Sequence, residues 1–274
     1  MIRIQAGFNI AYNCPYPVPM LLLLSVHPSR EHTLLTPEVI KFDPGIEAQR
    51  YTDGFGNKCH RIVAPAGPLV MSTLFEYGDD GIPDIVVPEA RQIAVEDLPS
   101  DALVYLLGSR YCDTDLLGDT AWSLFSSTTP GWARVQAICD FVHERVTFGY
   151  EYARPDKTAR NAYDERRGVC RDFAHLAITL CRCMNIPARY CTGYLGDIRL
   201  PPVEAPMDFS AWFEVFLEGP EGRRWYTFDA RFNTPRIGRL LMAQGRDATD
   251  VALVTSFGTT GGLAKFEVIT DEVA

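Results

Sequence analysis

Apolar and polar positions alternate through the first third of the chain and recur at helical spacing further on. In residues 2–10 every second side chain is apolar, which is the period of a strand with one buried face. Clusters of glycine, proline and aspartate separate the short apolar runs that follow, and such clusters mark turns. These runs lie at Met20–Val26, His60–Ala64, Ser72–Tyr77 and Asp84–Val87. Many short strands joined by tight turns predict an all-β sandwich domain over residues 1–98.

Helical spacing begins after Pro99. The segment Asp101–Arg110 is predicted to be a helix with Ser100 as its N-cap, because a serine hydroxyl can accept a hydrogen bond from a free amide of the first turn. The segment Pro130–Val146 predicts a longer amphipathic helix. A third helix is predicted to begin at Cys170 and to end near Asn185. Its apolar stripe contains Phe173, Ala177, Leu180, Cys181 and Met184.

Strand patterns return after this third helix. Predicted strands lie at Ala188–Leu195, Ser210–Leu217 and Arg224–Asp229, with a proline-rich loop through Pro201, Pro202 and Pro206 after the first. The last two strands are predicted to form an antiparallel hairpin. If it closes about Gly219-Pro220, Ser210 lies opposite Asp229, and Trp212 faces Thr227 on the same side of the sheet. A bulge would shift this register by one residue. Residues 99–274 are therefore predicted to form a second, α+β domain.

Composition and charge narrow the class of protein. Of the 274 residues, 47% are hydrophobic and 22% are charged, which is the balance of an ordinary globular protein long enough for two domains. The net charge of −9 argues against nucleic acid or an anionic membrane as the main partner. The apolar run Met20–Leu24 is too short to cross a bilayer. Eight scattered cysteines and no secretory leader indicate a reducing cytoplasm.

Cys170 is the first candidate for chemistry. A thiol in the first turn of a helix lies among unpaired backbone N–H groups at the positive end of the helix dipole. That environment lowers the pKa of a thiol and favours the reactive thiolate. The alternative is a small buried packing residue, which free cysteines usually are. A metal site is not favoured, because Cys181 and Cys183 point to different sides of their helix and no second pair follows.

Four sequence blocks occur in an order that resembles a known family. They are Gly168–His175, Ile186–Tyr190, Ala211–Val215 and Trp225–Ala230. In this order they are similar to bacterial transglutaminase-like proteins, which are often described as cysteine proteases. The resemblance extends from about residue 130 to the C-terminus and includes the segment Gly245–Val251. The N-terminal β region resembles the sandwich that commonly precedes this domain.

The resemblance implies a papain-like core and a Cys–His–Asp triad. In such a core a cysteine at a helix N-terminus packs against an antiparallel sheet, and the histidine and aspartate lie on neighbouring strands. The nucleophile then falls on Cys170 and the orienting carboxylate on Asp229. The triad histidine falls on position 210, where this chain has Ser210. We expect Trp212 and Asp172 to border the substrate cleft. The implied substrate is a peptide or protein amide. No cofactor is implied, no acidic calcium loop is present, and the oligomeric state is open.

The serine at position 210 leaves two functional hypotheses open. In a triad, imidazole takes the proton of the thiol and later protonates the leaving amine, whereas serine does not titrate near neutral pH. The first hypothesis is a cysteine hydrolase or acyltransferase that works through a Cys170 thioester with an impaired or rewired base. The second is a pseudoenzyme that retains the cleft to bind a peptide or a protein partner.

Neither nearby histidine is an obvious substitute for the missing base. His175 is five residues beyond Cys170, which places it about 140° around the helix and about 7.5 Å along it. It therefore points away from the thiol, and we interpret it as a hydrogen-bonded core histidine. His143 lies in the last turn of an earlier helix, where an interaction with the helix C-terminus is its simplest role.

Overall fold

The N-terminal region is built from six strands with few helical turns between them. The computed structural model describes residues 1–201 and 207–273, so Pro202 and Pro206 of the predicted proline-rich loop lie outside the described residues. The strands are β1 (Ile2–Cys14), β2 (Val18–Leu22), β3 (Lys41–Asp43), β4 (Gln49–Thr52), β5 (Lys58–Ala64) and β6 (Gly67–Asp79).

The remaining elements alternate between helices and strands before the chain ends in a series of strands. They are α1 (Ser100–Leu103), α2 (Thr114–Phe125), α3 (Trp132–Arg145), β7 (Thr147–Phe148), α4 (Ala159–Glu165), β8 (Arg167–Gly168), α5 (Cys170–Cys183), β9 (Ala188–Tyr194), β10 (Ser210–Gly219), β11 (Gly222–Phe228), β12 (Leu240–Gly245), β13 (Val254–Ser256) and β14 (Leu263–Glu272). No helix of the described residues is both long enough and apolar enough to cross a membrane.

Three four-stranded sheets organise the described part of the chain. Two of them, in the orders β14-β1-β6-β3 and β13-β2-β5-β4, contain the N-terminal strands. The apolar side chains of β1 that alternate in the sequence, among them Ile4, Phe8 and Ile10, are buried in one core together with Met20 of β2 and Ile62 of β5. The strand period in residues 2–10 therefore reflects a real buried face, as the sequence predicts.

The last two strands pair with the first two strands of the chain. β14 is antiparallel to β1, with Glu272 opposite Ile4, and β13 pairs with β2. The sequence predicts one domain over residues 99–274, but this pairing places the strands within residues 254–272 in the N-terminal sheets. The division of the chain after residue 98 stays a prediction. The segment just before residue 98 is held against β10, because Arg91 and Glu218 exchange backbone hydrogen bonds.

The third sheet, in the order β11-β10-β9-β12, carries α5 on one face. Phe213 and Val215 of β10 and Phe228 of β11 are buried on that face in the same core as Phe173 and Leu180 of α5. Alternation along β10 turns the intervening side chains to the opposite face. A helix that begins with a cysteine thus packs on an antiparallel sheet next to a β-rich region, which is the predicted α+β architecture.

The hairpin of β10 and β11 has a different register from the predicted one. Phe213 lies opposite Phe228 and Gly219 lies opposite Gly222, so the turn is Pro220-Glu221. Gly222 has a φ of 102°, a backbone conformation that glycine adopts without penalty, and this closes the turn one residue later on the sequence than predicted. Ser210 is consequently not opposite Asp229.

Other local differences follow from tertiary contacts. The segment predicted as a strand at Asp84–Val87 forms no strand, since its backbone has no partner strand in the described structure. The helix predicted at Asp101–Arg110 is shorter, with α1 followed by a single 3₁₀ turn at Val104–Leu106. Helices α2 and α4 were not predicted. In α2 the buried residues Leu117, Ala121 and Phe125 recur every four residues, which is a helical signal.

Candidate active site

Cys170 is the first residue of α5, and two buried charges fix the start of this helix. The Asp172 Oδ2 atom accepts a hydrogen bond from the Val169 N–H at 3.0 Å. Lys157, which is 1% exposed, lies with its Nζ 4.0 Å from that carboxylate and donates to the Arg167 carbonyl at 2.9 Å. Asp172 is thus enclosed beneath the helix N-terminus and does not line the cavity in front of the thiol, contrary to the expectation for a cleft residue.

A cavity of about 620 Å³ opens in front of Cys170. Its wall is mostly apolar and includes the rings of Tyr111, Tyr150 and Tyr190. The side chain of Cys170 is half-buried, and all but one of the other cysteines are fully buried. The exception is Cys183 at the far end of α5, which does not line this cavity. The cavity therefore exposes one thiol to a bound molecule.

The Cys170 thiol lies in an environment that keeps it protonated. Removal from water raises the pKa of this thiol to about 11. The Arg231 guanidinium and a hydrogen bond from the Ala211 N–H lower this pKa, and the carboxylates of Asp208 and Asp229 raise it. The reactive thiolate predicted from the helix terminus is therefore not supported, because desolvation outweighs the effect of the helix N-terminus.

Ser210, the first residue of β10, lines the same cavity as Cys170. Its carbonyl oxygen accepts a hydrogen bond from the Thr192 hydroxyl at 3.0 Å. Its own hydroxyl is buried, with the residue 5% exposed, and has no hydrogen-bond partner among the described residues. A buried hydroxyl without a partner is costly, so Ser210 offers a hydrogen bond to a molecule in the cavity.

Asp229 lies just beyond β11 and is bound to an arginine. Its Oδ1 atom accepts hydrogen bonds from the backbone N–H groups of Arg231 and Phe232, at 3.0 and 3.2 Å. Its Oδ2 atom accepts from both terminal nitrogens of Arg239 at 3.2 Å, and Arg239 also binds Asp84 at 3.1 Å. The carboxylate expected to orient a triad histidine is thus held in a buried Asp84–Arg239–Asp229 bridge and does not line the Cys170 cavity.

Trp212 lies on the face of the sheet that points away from α5. The guanidinium carbon of Arg239 is 4.8 Å from the centroid of its ring. Trp212, Arg239 and Asp84 line a separate cavity of about 750 Å³, whose wall also includes Tyr77 of the N-terminal region. The expectation that Trp212 borders the cleft beside Cys170 is therefore wrong. Ala211 lines that cavity, and because side chains alternate along β10, the next residue, Trp212, points to the other face of the sheet.

All five histidines belong to the described residues, and none of them lines the cavity of Cys170. His175 is fully buried, stacks on Tyr111 with a centroid distance of 5.0 Å, and accepts a hydrogen bond from the Ala248 N–H at 3.1 Å. This burial and this hydrogen bond agree with its interpretation as a hydrogen-bonded core histidine, and burial lowers the pKa of His175 to about 3. His143 is exposed, and its Nδ1 atom lies 2.9 Å from the Arg231 carbonyl oxygen.

Sequence reasoning missed two charged residues beside the thiol. Asp208 lines the cavity two positions before Ser210, and Arg231 follows Asp229 by two positions with its guanidinium 3.8 Å from the centroid of the Phe148 ring. The sequence signal that could have identified them is that each lies two positions from an expected triad residue, Ser210 or Asp229. Within residues 1–201 and 207–273, no cluster of three histidine, cysteine or acidic side chains has the arrangement of a metal site.

Comparisons with known proteins agree with the geometry. Residues 120–230 match the model of the transglutaminase-like superfamily. "Uncharacterized protein ML0607" of Mycobacterium leprae (strain TN) is 31% identical over 114 residues, which are 40% of this chain and only 39% of that protein. The crystal structure of a "putative cysteine protease" from Cytophaga hutchinsonii matches with a TM-score of 0.82 and 29% identity, over 100% of this chain and 91% of that chain. Residues 120–230 are thus similar to the transglutaminase-like superfamily, and the chain has a transglutaminase-like fold with a β-rich N-terminal region.

Proposed function

We propose that this protein is a cysteine hydrolase or acyltransferase that attacks an amide of a peptide or protein with the sulfur of Cys170. The observation that carries the proposal is the position of this thiol: it is the one cysteine that lines the cavity, and it stands on the first turn of the helix packed against the sheet. The similarity to the Cytophaga hutchinsonii protein supports the same class of reaction.

The proposed reaction passes through a thioester. The sulfur adds to the carbonyl carbon, the amine leaves, and water or a second amine then releases the acyl group from Cys170. The mostly apolar wall with its tyrosine rings suits an extended peptide whose side chains lose contact with water on binding. The thiol is protonated at neutral pH, so the proposal requires a group that removes its proton during attack.

The experiment is a search for acylation on Cys170. We expect p-nitrophenyl acetate to add one acetyl group to the protein, and intact-mass measurement with peptide mapping should locate this group on Cys170. We also expect the same protein to cleave a library of fluorescence-quenched peptides, at a lower rate than it reacts with the ester. Cys170→Ala should abolish both signals. Cys183→Ala is the matched control, because Cys183 is half-buried on the same helix with a thiol pKa raised to about 11 by burial. Acetylation that is equal in both variants would contradict the proposal.

A second candidate function is a pseudoenzyme that binds a peptide or protein partner in the cavity without turnover. The observation that favours it is the Arg239 bridge, which leaves Asp229 no role toward a base, together with the lack of a histidine in the cavity wall. In that case wild type and Cys170→Ala would bind the same peptide with equal affinity, and neither would cleave it. Calorimetric titration and product analysis on the same peptide distinguish the two functions.

A further inference from the structure

We propose that Asp208 is the general base and acid for Cys170, in place of the imidazole that the fold usually provides. This inference rests on the proposed cysteine chemistry and assigns a second catalytic residue to it. Asp208 lies in the segment that leads into β10, two residues before Ser210, and both residues line the cavity of the thiol.

The carboxylate of Asp208 is free to exchange a proton. Its side chain is half-buried, and its Oδ1 atom accepts a hydrogen bond from the Phe209 N–H at 2.7 Å. In the described part of the chain, no other hydrogen bond and no ion pair engages this carboxylate. Asp229, by contrast, is fully committed to backbone amides and Arg239. Of the two aspartates near the thiol, Asp208 is therefore the one available for proton transfer.

The electrostatics around Asp208 and Cys170 support this exchange. Burial raises the pKa of Asp208, which makes the carboxylate a stronger base than an exposed one, and the hydrogen bond from the Phe209 N–H and the Arg231 guanidinium offset only part of this rise. The charged groups that act on the thiol are Arg231, Asp208 and Asp229, and the hydroxyls of Tyr150 and Tyr190 also interact with it. Two further cationic side chains, Arg154 and Arg171, lie in the cavity wall.

A second observation points to a ligand at the same place. The Ser210 hydroxyl is buried, lines the cavity and has no partner among residues 1–201 and 207–273. The Ala211 N–H next to it faces the sulfur of Cys170. Both residues line the cavity in front of the thiol, and hydrogen bonds from these two donors to the carbonyl oxygen of a bound amide would stabilise the charge that develops there.

Asp208 alone can accept and return every proton that the proposed reaction transfers. As the sulfur–carbon bond forms, the thiol proton passes to Asp208 and the carbonyl electron pair moves to oxygen. The electron pair on oxygen then re-forms the carbonyl as the carbon–nitrogen bond breaks, the amine takes the proton from Asp208, and the thioester remains on Cys170. Water adds to the thioester carbonyl and gives a proton to Asp208; the carbonyl then re-forms as the carbon–sulfur bond breaks, and the departing sulfur recovers that proton. The products are a carboxylic acid, an amine and the original thiol.

The first test follows acetylation of Cys170 by p-nitrophenyl acetate from pH 5 to 9, by release of nitrophenolate. With a carboxylate base, the wild-type rate should rise as Asp208 ionises and then flatten. Asp208→Asn should lower the rate at pH 7 at least tenfold, since general base catalysis typically contributes 10²–10⁴-fold, and the remaining rate should rise in proportion to hydroxide. Asp208→Glu should restore part of the wild-type profile. Asp156→Asn is the control, because Asp156 is an exposed carboxylate that does not line the cavity.

The second test measures the rate at which the Cys170 thiol is alkylated. In Asp208→Asn this rate should change in the direction opposite to that of the acetylation rate. The negative charge of Asp208 raises the pKa of Cys170, so Asp208→Asn should lower this pKa. Iodoacetamide reacts with thiolate that is already formed and needs no general base, so alkylation of Cys170 at pH 8 should then be faster in Asp208→Asn than in wild type. A merely structural role of Asp208 would alter both rates in the same direction, so slower acetylation with faster alkylation is the signature of a base.

The outcomes separate the two proposals. If acetylation requires Cys170 but is unchanged in Asp208→Asn, the assignment of Asp208 is wrong and the cysteine chemistry stands. If Asp208→Asn does not accelerate alkylation, Asp208 does not face the thiol and the assignment is also wrong. If wild type is not acetylated on Cys170 and cleaves no peptide, the cysteine chemistry fails, and the role of Asp208 fails with it.

Discussion

Arg239 is the residue that most changes the expected chemistry. It binds the carboxylates of Asp229 and Asp84, and its side chain is only 7% exposed. An aspartate with a permanent guanidinium partner has little capacity left to orient an imidazole. Replacement of Ser210 by histidine would therefore provide a base without its orienting carboxylate, and we expect it alone to leave the acetylation rate of Cys170 within about tenfold of wild type.

Substitution of Arg239 tests the bridge directly. Arg239→Met should reduce the free energy of unfolding by about 3–5 kcal/mol, because it leaves the buried carboxylate of Asp229 and the half-buried carboxylate of Asp84 without a cation. Urea denaturation at pH 7 measures this change. Arg224→Met is the control: its partner Glu221 is 82% exposed, and loss of such a surface pair should change stability by less than about 1 kcal/mol. A similar small change in Arg239→Met would mean that Asp84 and Asp229 find other partners.

At the scale of elements, the turn between β10 and β11 sets which side chains lie across from one another. Gly222 has a φ of 102°, and an added Cβ at this position would meet no atom within 4 Å. Substitution by alanine is therefore penalised by the backbone conformation alone and not by a clash.

Two glycine-to-alanine substitutions should change the stability of the protein in opposite directions. Gly222→Ala should destabilise the protein by about 1–2 kcal/mol, because alanine disfavours the left-handed region. Gly118→Ala should stabilise it by about 0.5–1 kcal/mol, since Gly118 lies within α2 and a methyl group there also has open space. Thermal unfolding of both variants beside wild type measures the difference. Stabilisation by Gly222→Ala would show that the turn adopts another conformation.

Local sequence patterns predict the helices and strands of this chain well, but they do not predict the contacts between these elements. The alternation in β1 and the apolar stripe of α5 are repeated signals, so the sequence predicts both correctly. The turn of the hairpin was predicted one residue early, which shifts the partner of each β10 residue by two positions. The Asp84–Arg239 contact joins residues 155 positions apart, and no local pattern encodes such a pair. The position of Cys170 at a helix start was visible in the sequence, whereas its raised thiol pKa depends on burial by distant segments.

For the whole molecule, buried histidines couple stability to pH. Burial lowers the pKa of His60 to about 4 and that of His175 to about 3, and it also lowers the pKa of His27. These groups stay neutral in the folded protein, whereas an unfolded histidine has a pKa of about 6.5. Below pH 6.5 the unfolded chain binds protons that the folded chain does not. Their contribution to stability is thus complete above this pH and is lost as the pH falls toward 4.

His60→Leu should weaken this dependence on pH. Between pH 6.5 and 4, the free energy of unfolding of wild type should fall by up to about 1.4 kcal/mol per pH unit more than that of the variant. Urea denaturation at intervals of half a pH unit gives both slopes. The control is His32→Leu, because His32 is exposed on the surface. Equal slopes in His60→Leu and wild type would mean that His60 becomes protonated without unfolding.

The pairing of β14 with β1 has a consequence for how the chain acquires its fold. Strands from opposite ends of the sequence lie side by side, with Val268 opposite Phe8, and contacts of such high contact order slow folding. During synthesis one edge of β1 lacks its neighbour until residues 263–272 have left the ribosome. An unpaired edge with apolar side chains is a template for association with other chains. Nascent or C-terminally shortened forms should therefore depend on chaperones and aggregate more readily than the complete sheet.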